Sequence, residues 1–364
     1  MNEPDSFPAK KYHTLKNRLF FINLALNILF LVIFFFSGLS LALRNKAFSI
    51  FSQAPLINGF YIMAFCIIFY ILNFPLNFYE GFILEHKFKL SNQNLLSFLM
   101  DSLKNAAVDF ILFLIILEAV YFFLNTTANY WWVLASIFWI FFTLILAKIT
   151  PSVIIPIFYK YIPITNLQLK QSILALFDRC KLKIRGVYAI DLSRKTKKAN
   201  AFVCGLGRNR RVVLSDTLLN NFSQEEIEGV VSHELGHYVN HDTLKLILVN
   251  SILAFAGFFL ADKLLKNLLF NDIAFFPIIA LALLLLGFII LPAQNGFSRY
   301  LERQADLFSL RVTKNKPAFI SMMMKLAKIN LADLTPSLLI EIWLYDHPPI
   351  AKRIKLAQDY KLEN

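Results

Sequence analysis

The most chemically informative residues lie in Val230–Asp242, which reads Val-Val-Ser-His-Glu-Leu-Gly-His-Tyr-Val-Asn-His-Asp. If this segment is helical, His233 and His237 lie one turn apart on one face, so both imidazoles can reach a single ion. Glu234 then lies about 100° around the helix, beside that ion. Two neutral nitrogens that hold zinc, and a neighbouring carboxylate that takes a proton from an activated water, are what a zinc hydrolase requires.

The segment around these residues has the pattern of a helix. Ser223 and Glu226 match a capping box, and residues 227–241 contain no proline. The alternative is a chance meeting of polar residues on a helix surface. With six histidines in 364 residues, a random His-Glu-x-x-His is expected in roughly one chain in a few hundred, which favours the zinc site.

A catalytic zinc needs a third protein ligand. Asn240 and Thr243 stand where a metzincin has glycine and histidine, so that class is excluded. His241 is one turn beyond His237 and is one candidate. A single helix face rarely aims three rings at one tetrahedral centre, so a supporting or headgroup-facing role suits His241 better.

The other candidate is Glu302, which is followed by Asp306 at helical spacing. Like charges four residues apart are unfavourable unless something positive lies over them. That positive charge would come from a zinc ion bound by Glu302, together with a ligand imidazole whose second N–H donates to Asp306. Equally, Arg299 and Arg303 could neutralise both carboxylates on a solvated face. The spacing alone leaves these two interpretations open.

Composition indicates that this site belongs to a membrane protein. The chain is 57% hydrophobic, with a mean hydropathy of +0.56 and 38 phenylalanines, well above the apolar share of a soluble domain. Its net charge of +13 must therefore collect outside the spans, where it faces anionic lipid headgroups. The pattern signals no nucleic-acid-binding fold. Cys66, Cys180 and Cys204 are scattered, which argues against a disulfide scaffold and a thiolate metal site.

Hydropathy predicts six membrane spans, at residues 19–43, 59–79, 106–124, 130–149, 244–265 and 275–291. The first is too long for a signal-peptide core and is read as an uncleaved span. Residues 80–105 are predicted to be a connection at the membrane surface. Six spans place both termini and residues 151–242 on one side, and the basic residues near the span ends favour the cytoplasm as that side.

Four segments follow from these spans. Residues 1–150 form an N-terminal membrane domain with four spans, 151–243 the first part of a peptidase domain, 244–293 a membrane hairpin, and 294–364 the second part of the peptidase domain. Within the peptidase parts we predict a helix over 166–181 and strands over 187–192, 201–206 and 211–214, the last two joined through residues 207–210. Pro317 and Pro336 are expected in first turns of helices, and Pro348-Pro349 at the end of the second.

The sequence resembles the type I CAAX prenyl proteases, the membrane zinc metallopeptidases that process prenylated C-terminal tetrapeptides. The resemblance covers residues 80–98, 149–242 and 297–356. Its motifs are Asn200-Ala201-Phe202, Asn209-Arg210-Arg211-Val212-Val213-Leu214, His233-Glu234-Leu235-Gly236-His237, Glu302 to Asp306, and His347-Pro348-Pro349 with Arg353. It implies that Glu302 completes the zinc site, and that His347 and Arg353 bind the tetrahedral intermediate and the end of the substrate.

Each implied role has a physical reason and an alternative. His347, in a loop fixed by two prolines, could donate to a developing oxyanion or interact with a helix C-terminus. Arg353 could pair with a substrate carboxylate or cover the domain surface. Asn200, Ala201 and Phe202 begin a predicted strand. If this strand lies at the edge of the sheet, an extended peptide could bind to it through backbone hydrogen bonds. The alternative is an ordinary edge strand without a bound peptide, which would have the same sequence pattern.

The sequence therefore predicts a mainly α-helical multi-span integral membrane protein with a gluzincin-type zinc peptidase domain that carries a small β-sheet. One Zn²⁺ held by His233, His237 and Glu302, with Glu234 as general base, would cleave peptide or protein substrates, prenylated ones included, among membrane lipids. In bacteria, the protein would lie in the cytoplasmic membrane. In eukaryotes, it would lie in the membrane of the endoplasmic reticulum. In both, the catalytic side would face the cytoplasm. The six predicted spans are one fewer than the family usually has. The alternatives are a quality-control protease resembling HtpX and a non-catalytic metal-binding scaffold or transporter.

Overall fold

The computed structural model describes residues 6–127, 129–205, 210–265 and 272–361. The helices in these ranges are α1 (Ser6–Phe36), α2 (Leu39–Ile50), α3 (Ala54–Phe78), α4 (Glu85–Lys87), α5 (Leu95–Thr126), α6 (Trp131–Ile149), α7 (Ile155–Phe158), α8 (Leu167–Arg179), α9 (Asp216–Asn221), α10 (Gln224–Val239), α11 (Asp242–Leu265), α12 (Phe276–Thr313), α13 (Lys316–Ile329), α14 (Leu338–Leu344) and α15 (Ile350–Asp359). The strands are β1 (Tyr161–Pro163), β2 (Gly186–Ile190), β3 (Ala201–Cys204) and β4 (Arg211–Ser215). Short π-helical turns cover Tyr79–Leu84 and Thr150–Ile154, and 3₁₀ turns cover Leu192–Arg194 and Ile273–Phe275.

Six helical stretches in the described ranges are long and apolar enough to cross a membrane, which confirms the predicted number. They are Phe7–Phe36, Ala54–Lys87, Leu95–Thr126, Trp131–Phe158, Asp242–Lys263 and Ile273–Thr313. The prediction of one helix over residues 19–43 is wrong, because α1 ends at Phe36 and α2 starts at Leu39. Gly38 between them has a φ of 79°, a left-handed conformation that glycine adopts without steric cost.

The predicted surface connection over residues 80–105 is also wrong in extent. Helix α3 continues through the π-helical turn into α4, and α5 already begins at Leu95, so only residues 88–94 connect them. Leu84 in this continuation is completely buried and packs in a cluster with Tyr12 and Leu90. Burial of this apolar face offsets the lower intrinsic helix preference of the polar sequence. Asn94 caps α5 by accepting a hydrogen bond from the Ser97 N–H at 2.8 Å.

The small sheet has the strand order β1-β2-β4-β3, and β3 lies at its edge in the described part of the chain. The pairing of β2 with β4 is parallel, whereas β1 with β2 and β3 with β4 are antiparallel. Strand β1 was not predicted, because it has three residues and ends in Pro163. The predicted turn at residues 207–210 lies mostly outside the described residues.

Helix α12 is the longest helix described, with 38 residues. It continues through Pro292, the residue that follows the sixth predicted span, to Thr313, as membrane helices tolerate proline. Pro317 lies in the first turn of α13 as predicted. Pro336 precedes the N-cap of α14, which ends at Leu344, before Pro348, so these two predicted positions are wrong.

Two separate apolar cores hold these elements. One core joins α8, β2 and α10 to residues of α12, α13 and α15. The segments that precede and follow the membrane hairpin in sequence therefore pack as one unit. The other lies among the membrane helices and is rich in aromatic rings. The three cysteines are free thiols, as the sequence indicated.

Candidate active site

Helix α10 carries both histidines of the motif and is held at its start by side chains. Ser223 Oγ accepts a hydrogen bond from the Glu226 N–H at 3.3 Å, and Glu226 Oε2 accepts from the Ser223 N–H at 2.7 Å. This is the predicted capping box. Glu226 also binds Ser321 and Lys325 of α13 at 2.6 and 2.7 Å, which fixes α10 against the second part of the domain.

Three side chains converge as the zinc motif requires. His233 Nε2 lies 3.2 Å from His237 Nε2 and 3.2 Å from Glu302 Oε2. His237 Nε2 lies 3.1 Å from Glu302 Oε1. One ligand atom from each residue lies within 4.8 Å of the other two. Glu302 therefore approaches the histidine pair from α12, beyond the membrane hairpin, on the same side.

The outer nitrogens of both imidazoles face carboxylates. His233 Nδ1 lies 2.9 Å from Asp306 Oδ1, and His237 Nδ1 lies 3.0 Å from Asp242 Oδ2. Because an ionised carboxylate only accepts hydrogen bonds, each Nδ1 is the donor and each Nε2 of a neutral ring is left with a lone pair. The two lone pairs then face each other at 3.2 Å, an arrangement that a shared cation stabilises.

Glu302 supports the same conclusion. Its Oε2 atom is buried and has no hydrogen-bond partner among the described residues, although an unsatisfied buried oxygen is costly. Two imidazole nitrogens and one carboxylate also match the donor set of a catalytic zinc site with one position left open for water or substrate. The residues present therefore fit a zinc ion.

Arg353 is buried, so the expectation that it covers the domain surface is wrong. Its Nε donates to Asp306 Oδ2 at 2.8 Å and its Nη2 to Asp306 Oδ1 at 2.6 Å. This two-point contact orients the Asp306 carboxylate toward His233. Arg299, which could have neutralised the acidic pair, instead donates to the backbone carbonyls of Glu341 and Tyr345.

A glycine lets α12 approach α10 closely enough for Glu302 to reach the histidines. A Cβ atom at Gly236 would lie 3.1 Å from Ala305 Cα and 3.1 Å from Phe308 Cβ. Ser309 of α12 also donates to the Gly229 carbonyl at 2.8 Å. The backbones of α10 and α12 are therefore in close contact at Gly236.

A cavity of about 270 Å³ opens beside the convergent residues, and Glu234, His347 and Arg353 line it. Burial raises the pKa of Glu234 above its usual value. His347 Nε2 lies 3.2 Å from Glu302 Oε1, and its Nδ1 lies 2.8 Å from Asp346 Oδ1. The His347 side chain is 53% exposed, and partial desolvation opposes its protonation, but Asp346 and Glu302 outweigh this effect and raise the pKa of the imidazole.

His233 and His237 also have raised pKa values. Burial opposes their protonation, but hydrogen bonds to Asp306 and Glu302 raise the pKa of His233 to about 9. The pKa of His237 is raised by Glu302 against the same effect of burial. A cation at this position therefore competes with protons.

The predicted substrate strand flanks the cavity. Asn200 and Ala201 line it, and β3 is the edge strand of the sheet. Asn200 Oδ1 accepts from the Ala201 N–H at 2.9 Å, which fixes the start of the strand. Phe202 instead packs on the opposite face against the cluster of Ile190 and Val213.

Two neighbours of the site were missed by sequence reasoning. Asp242, which is 2% exposed, was named only as the end of the motif stretch. Asp242 could have been found from its position directly after the motif. His241 has a φ of 57°, which reverses the chain, and Asp242 is the first residue of α11. Asp346 beside His347 was also missed. His241 itself is exposed and is not among the convergent ligand residues of the described structure.

Two family models match the chain. Residues 163–361 match peptidase family M48, and residues 4–160 match the family described as CAAX prenyl protease N-terminal, five membrane helices. In the second range, the described structure has four helices of spanning length and the shorter α2.

Known proteins resemble the chain over most of its length. The uncharacterized metalloprotease YhfN of Bacillus subtilis is 28% identical over 361 residues, 96% of this chain and 84% of that protein. The probable CAAX prenyl protease 1 of Schizosaccharomyces pombe is 30% identical over 300 residues, 80% of this chain and 63% of that protein. The crystal structure of S. mikatae Ste24p has the same fold, with a TM-score of 0.89 and 20% identity over 99% of this chain and 90% of that chain.

These similarities favour the CAAX-type interpretation over the quality-control protease and the inactive scaffold. Family M48 implies a metal, generally zinc, and peptide or protein substrates. The chain belongs to peptidase family M48 and is a multi-pass integral membrane zinc metalloendopeptidase.

Proposed function

We propose that His233, His237 and Glu302 hold one zinc ion per chain and that this ion marks the peptide-cleaving centre. The observation that carries the proposal is the convergence of three ligand atoms within 4.8 Å, from two helices separated in sequence by a membrane hairpin. When bound, zinc supplies a Lewis acid that activates water and polarises a peptide carbonyl.

Glu234 is the general base in this proposal. Its carboxylate lines the cavity beside the ligands, and burial raises its pKa toward the operating range of a proton carrier. It takes a proton from the attacking water and delivers it to the nitrogen of the leaving amine.

His347 stabilises the oxyanion that forms at the substrate carbonyl. In this proposal it acts as the imidazolium, with Nδ1 donating to Asp346 and Nε2 donating to the oxyanion. The upward shift of its pKa supports this form. Asp306 and Asp242 orient the ligand rings of His233 and His237. The contacts of Arg353 with Asp306 favour a positioning role over the expected contact with a substrate carboxylate.

The substrate that we propose is an extended peptide that adds to the outer edge of β3, beside Asn200 and Ala201. Edge strands bind peptides through backbone hydrogen bonds, and this edge borders the cavity with Glu234. By similarity to the CAAX prenyl proteases, the substrate carries a prenylated cysteine near its C-terminus. Its lipid group would lie in the bilayer beside the spans while its last residues enter the cavity.

We place the catalytic side in the cytoplasm. An even number of spans, four before and two after α10, puts the N-terminus, the peptidase parts and the C-terminus on one side. Lys10, Lys11, Lys16 and Arg18 precede the apolar part of the first span on that side, as the positive-inside rule expects.

The test is zinc content and peptide cleavage by purified protein in detergent, with matched farnesylated and bare peptides. Glu234→Gln should retain about one zinc per chain and lose cleavage by about 10²–10⁴-fold. His233→Ala should lose the metal as well. Equal cleavage of farnesylated and bare peptides would exclude the prenylated substrate, and an active Glu234→Gln protein would exclude the proposed base.

A further inference from the structure

The first turns of α1 contact both sides of the catalytic cavity. Tyr12 is 2% exposed, although it lies near the start of the first membrane helix. It connects to the segment that leads into β3, and its neighbour His13 connects to Tyr345. Asn200 on one side and Tyr345 on the other both line the cavity.

The contact on the β3 side is a three-residue network. Tyr12 donates a short hydrogen bond to Glu85. Lys198 Nζ donates to the Tyr12 hydroxyl at 3.0 Å and lies 2.9 Å from Glu85 Oε2. Lys198 precedes Asn200 by two residues, so this network fixes the chain where it enters the edge strand.

Two further side chains hold the same entry from the peptidase domain. Thr217 Oγ1 donates to the Lys198 carbonyl at 2.8 Å. Asn330 Oδ1 accepts from the Ala199 N–H at 3.0 Å, and its Nδ2 donates to the Ala199 carbonyl. The entry is therefore attached by its backbone to the domain and by the Lys198 side chain to the membrane helices.

The contact on the opposite side passes through Tyr345. Its hydroxyl lies 3.3 Å from His13 Nδ1, and the two rings are 6.0 Å apart. Tyr345 is followed by Asp346 and His347, and its carbonyl accepts from Arg299 at 2.5 Å. His13 thus supports the loop that presents His347.

We propose that Tyr12 and His13 are positioning residues that set the separation of β3 from the His347 loop, and so control the affinity for peptide. This inference rests on the proposed binding of peptide along β3. Neither residue is placed in contact with the ligands of the metal. Loss of the Tyr12 contacts should therefore change substrate binding and leave the chemical step, whereas loss of His13, which supports the loop that presents His347, should also slow the chemical step. The first membrane helix is then part of the substrate site as well as an anchor.

The test compares Tyr12→Phe, His13→Phe and Lys198→Met in detergent. Loss of these hydrogen bonds, which for Tyr12 and Lys198 involve the charged groups of Glu85 and Lys198, should raise KM by about threefold to tenfold. The kcat should stay near that of the wild type in Tyr12→Phe and Lys198→Met, and should fall together with the rise in KM in His13→Phe. The Kd of the uncleaved peptide, measured in a Glu234→Gln background, should rise by the same factor. Because Tyr12 and Lys198 share one network, their double variant should not exceed the larger single effect.

Tyr79→Phe is the matched control, since Tyr79 packs against the same apolar cluster as Tyr12 and does not line the cavity. Its KM should not change. Lys198→Arg keeps a cation beside Glu85 and should recover part of the lost affinity, provided that zinc content matches the wild type. Unchanged KM and Kd in the three variants, or a fall in kcat alone, would overturn the inference. Failure of the wild type to cleave peptide would instead overturn the proposed function.

Discussion

His237 Nδ1 lies 3.0 Å from Oδ2 of Asp242, the first residue of the helix that next crosses the membrane. Asp242 is 2% exposed, and its other oxygen lies 3.0 Å from Lys245 Nζ. The backbone reversal at His241 brings this carboxylate back beneath the second histidine of the motif. Each of the two imidazoles is therefore oriented by a carboxylate on a helix that is long enough to cross the membrane, His237 by Asp242 of α11 and His233 by Asp306 of α12.

Asp242→Asn should weaken zinc binding about 10-fold to 100-fold, the usual effect of losing a carboxylate behind a ligand histidine. The amide no longer stabilises the ring N–H as a charged acceptor does. The measurement is competition with a chelator of known affinity. Asp262→Asn, on the same helix but bonded to Trp131, is the control and should keep its zinc. Equal affinities for both variants would refute this role for Asp242.

Gly236→Ala should separate α10 from α12. The new methyl group would meet the backbone of Ala305 at 3.1 Å, so the helices must move, at a cost of about 1–3 kcal/mol in stability. Glu302 would move with α12, so both the zinc affinity and the unfolding temperature of the variant should be lower than those of the wild type. Gly257→Ala is the control, because its nearest contact is the side chain of Leu286 at 3.6 Å. An unchanged zinc affinity for Gly236→Ala would show that the close approach is not required.

His347→Leu should lower kcat by about 10²–10³-fold, as expected when an oxyanion donor is removed. KM should change little, because the donor acts mainly on the charge that develops during the reaction. Steady-state kinetics on one peptide provide the measurement. His86→Leu, a histidine outside the cavity lining, is the control. A rise in KM with normal kcat would point to a role in binding.

Glu226 should make stability depend on pH. Burial raises its pKa, but Lys325, Ser321 and the Ser223 N–H outweigh burial and hold the pKa below the usual value. The contribution of Glu226 is thus present above the unfolded-state pKa of about 4.3. It is lost as the pH falls through the lower folded-state value.

The check is the melting temperature of wild type and Glu226→Gln across this pH range. The variant should be less stable at pH 7 by about 1–3 kcal/mol, since hydrogen bonds to a charge are lost. The difference should shrink on acidification. Glu228→Gln on the same helix, where the carboxylate accepts from Gln224, is the matched control. A gap that stays constant below the usual glutamate pKa would contradict the linkage.

The sequence predicts those parts of the site that follow from local geometry. The pairing of His233 with His237 requires only helical spacing, and the capping box at Ser223 requires only a local motif. Glu302 could not be chosen from spacing alone, because its alternative partners were nearby arginines. The structure shows instead that the cation beside Asp306 is Arg353, which is 47 residues away.

The errors concern places where tertiary packing outweighs local preference. Residues 80–94 look polar in isolation, but the buried Leu84 extends the helix that precedes it. Strand β1 depends on pairing with β2 and carries almost no signal of its own. Such features are decided by contacts between segments distant in sequence.

Helix α12 begins among the spans and ends past Glu302, so it is a continuous helix about 57 Å long, almost twice the hydrocarbon depth of a typical bilayer. A helix of this kind tilts or slides when the hydrophobic thickness around it changes. Because α12 packs against α10 in one core, any such adjustment strains the contact that holds Glu302 beside His233 and His237. We therefore expect the catalytic rate to depend on the acyl-chain length of the surrounding lipid, so that the same protein has different rates in thin and thick membranes.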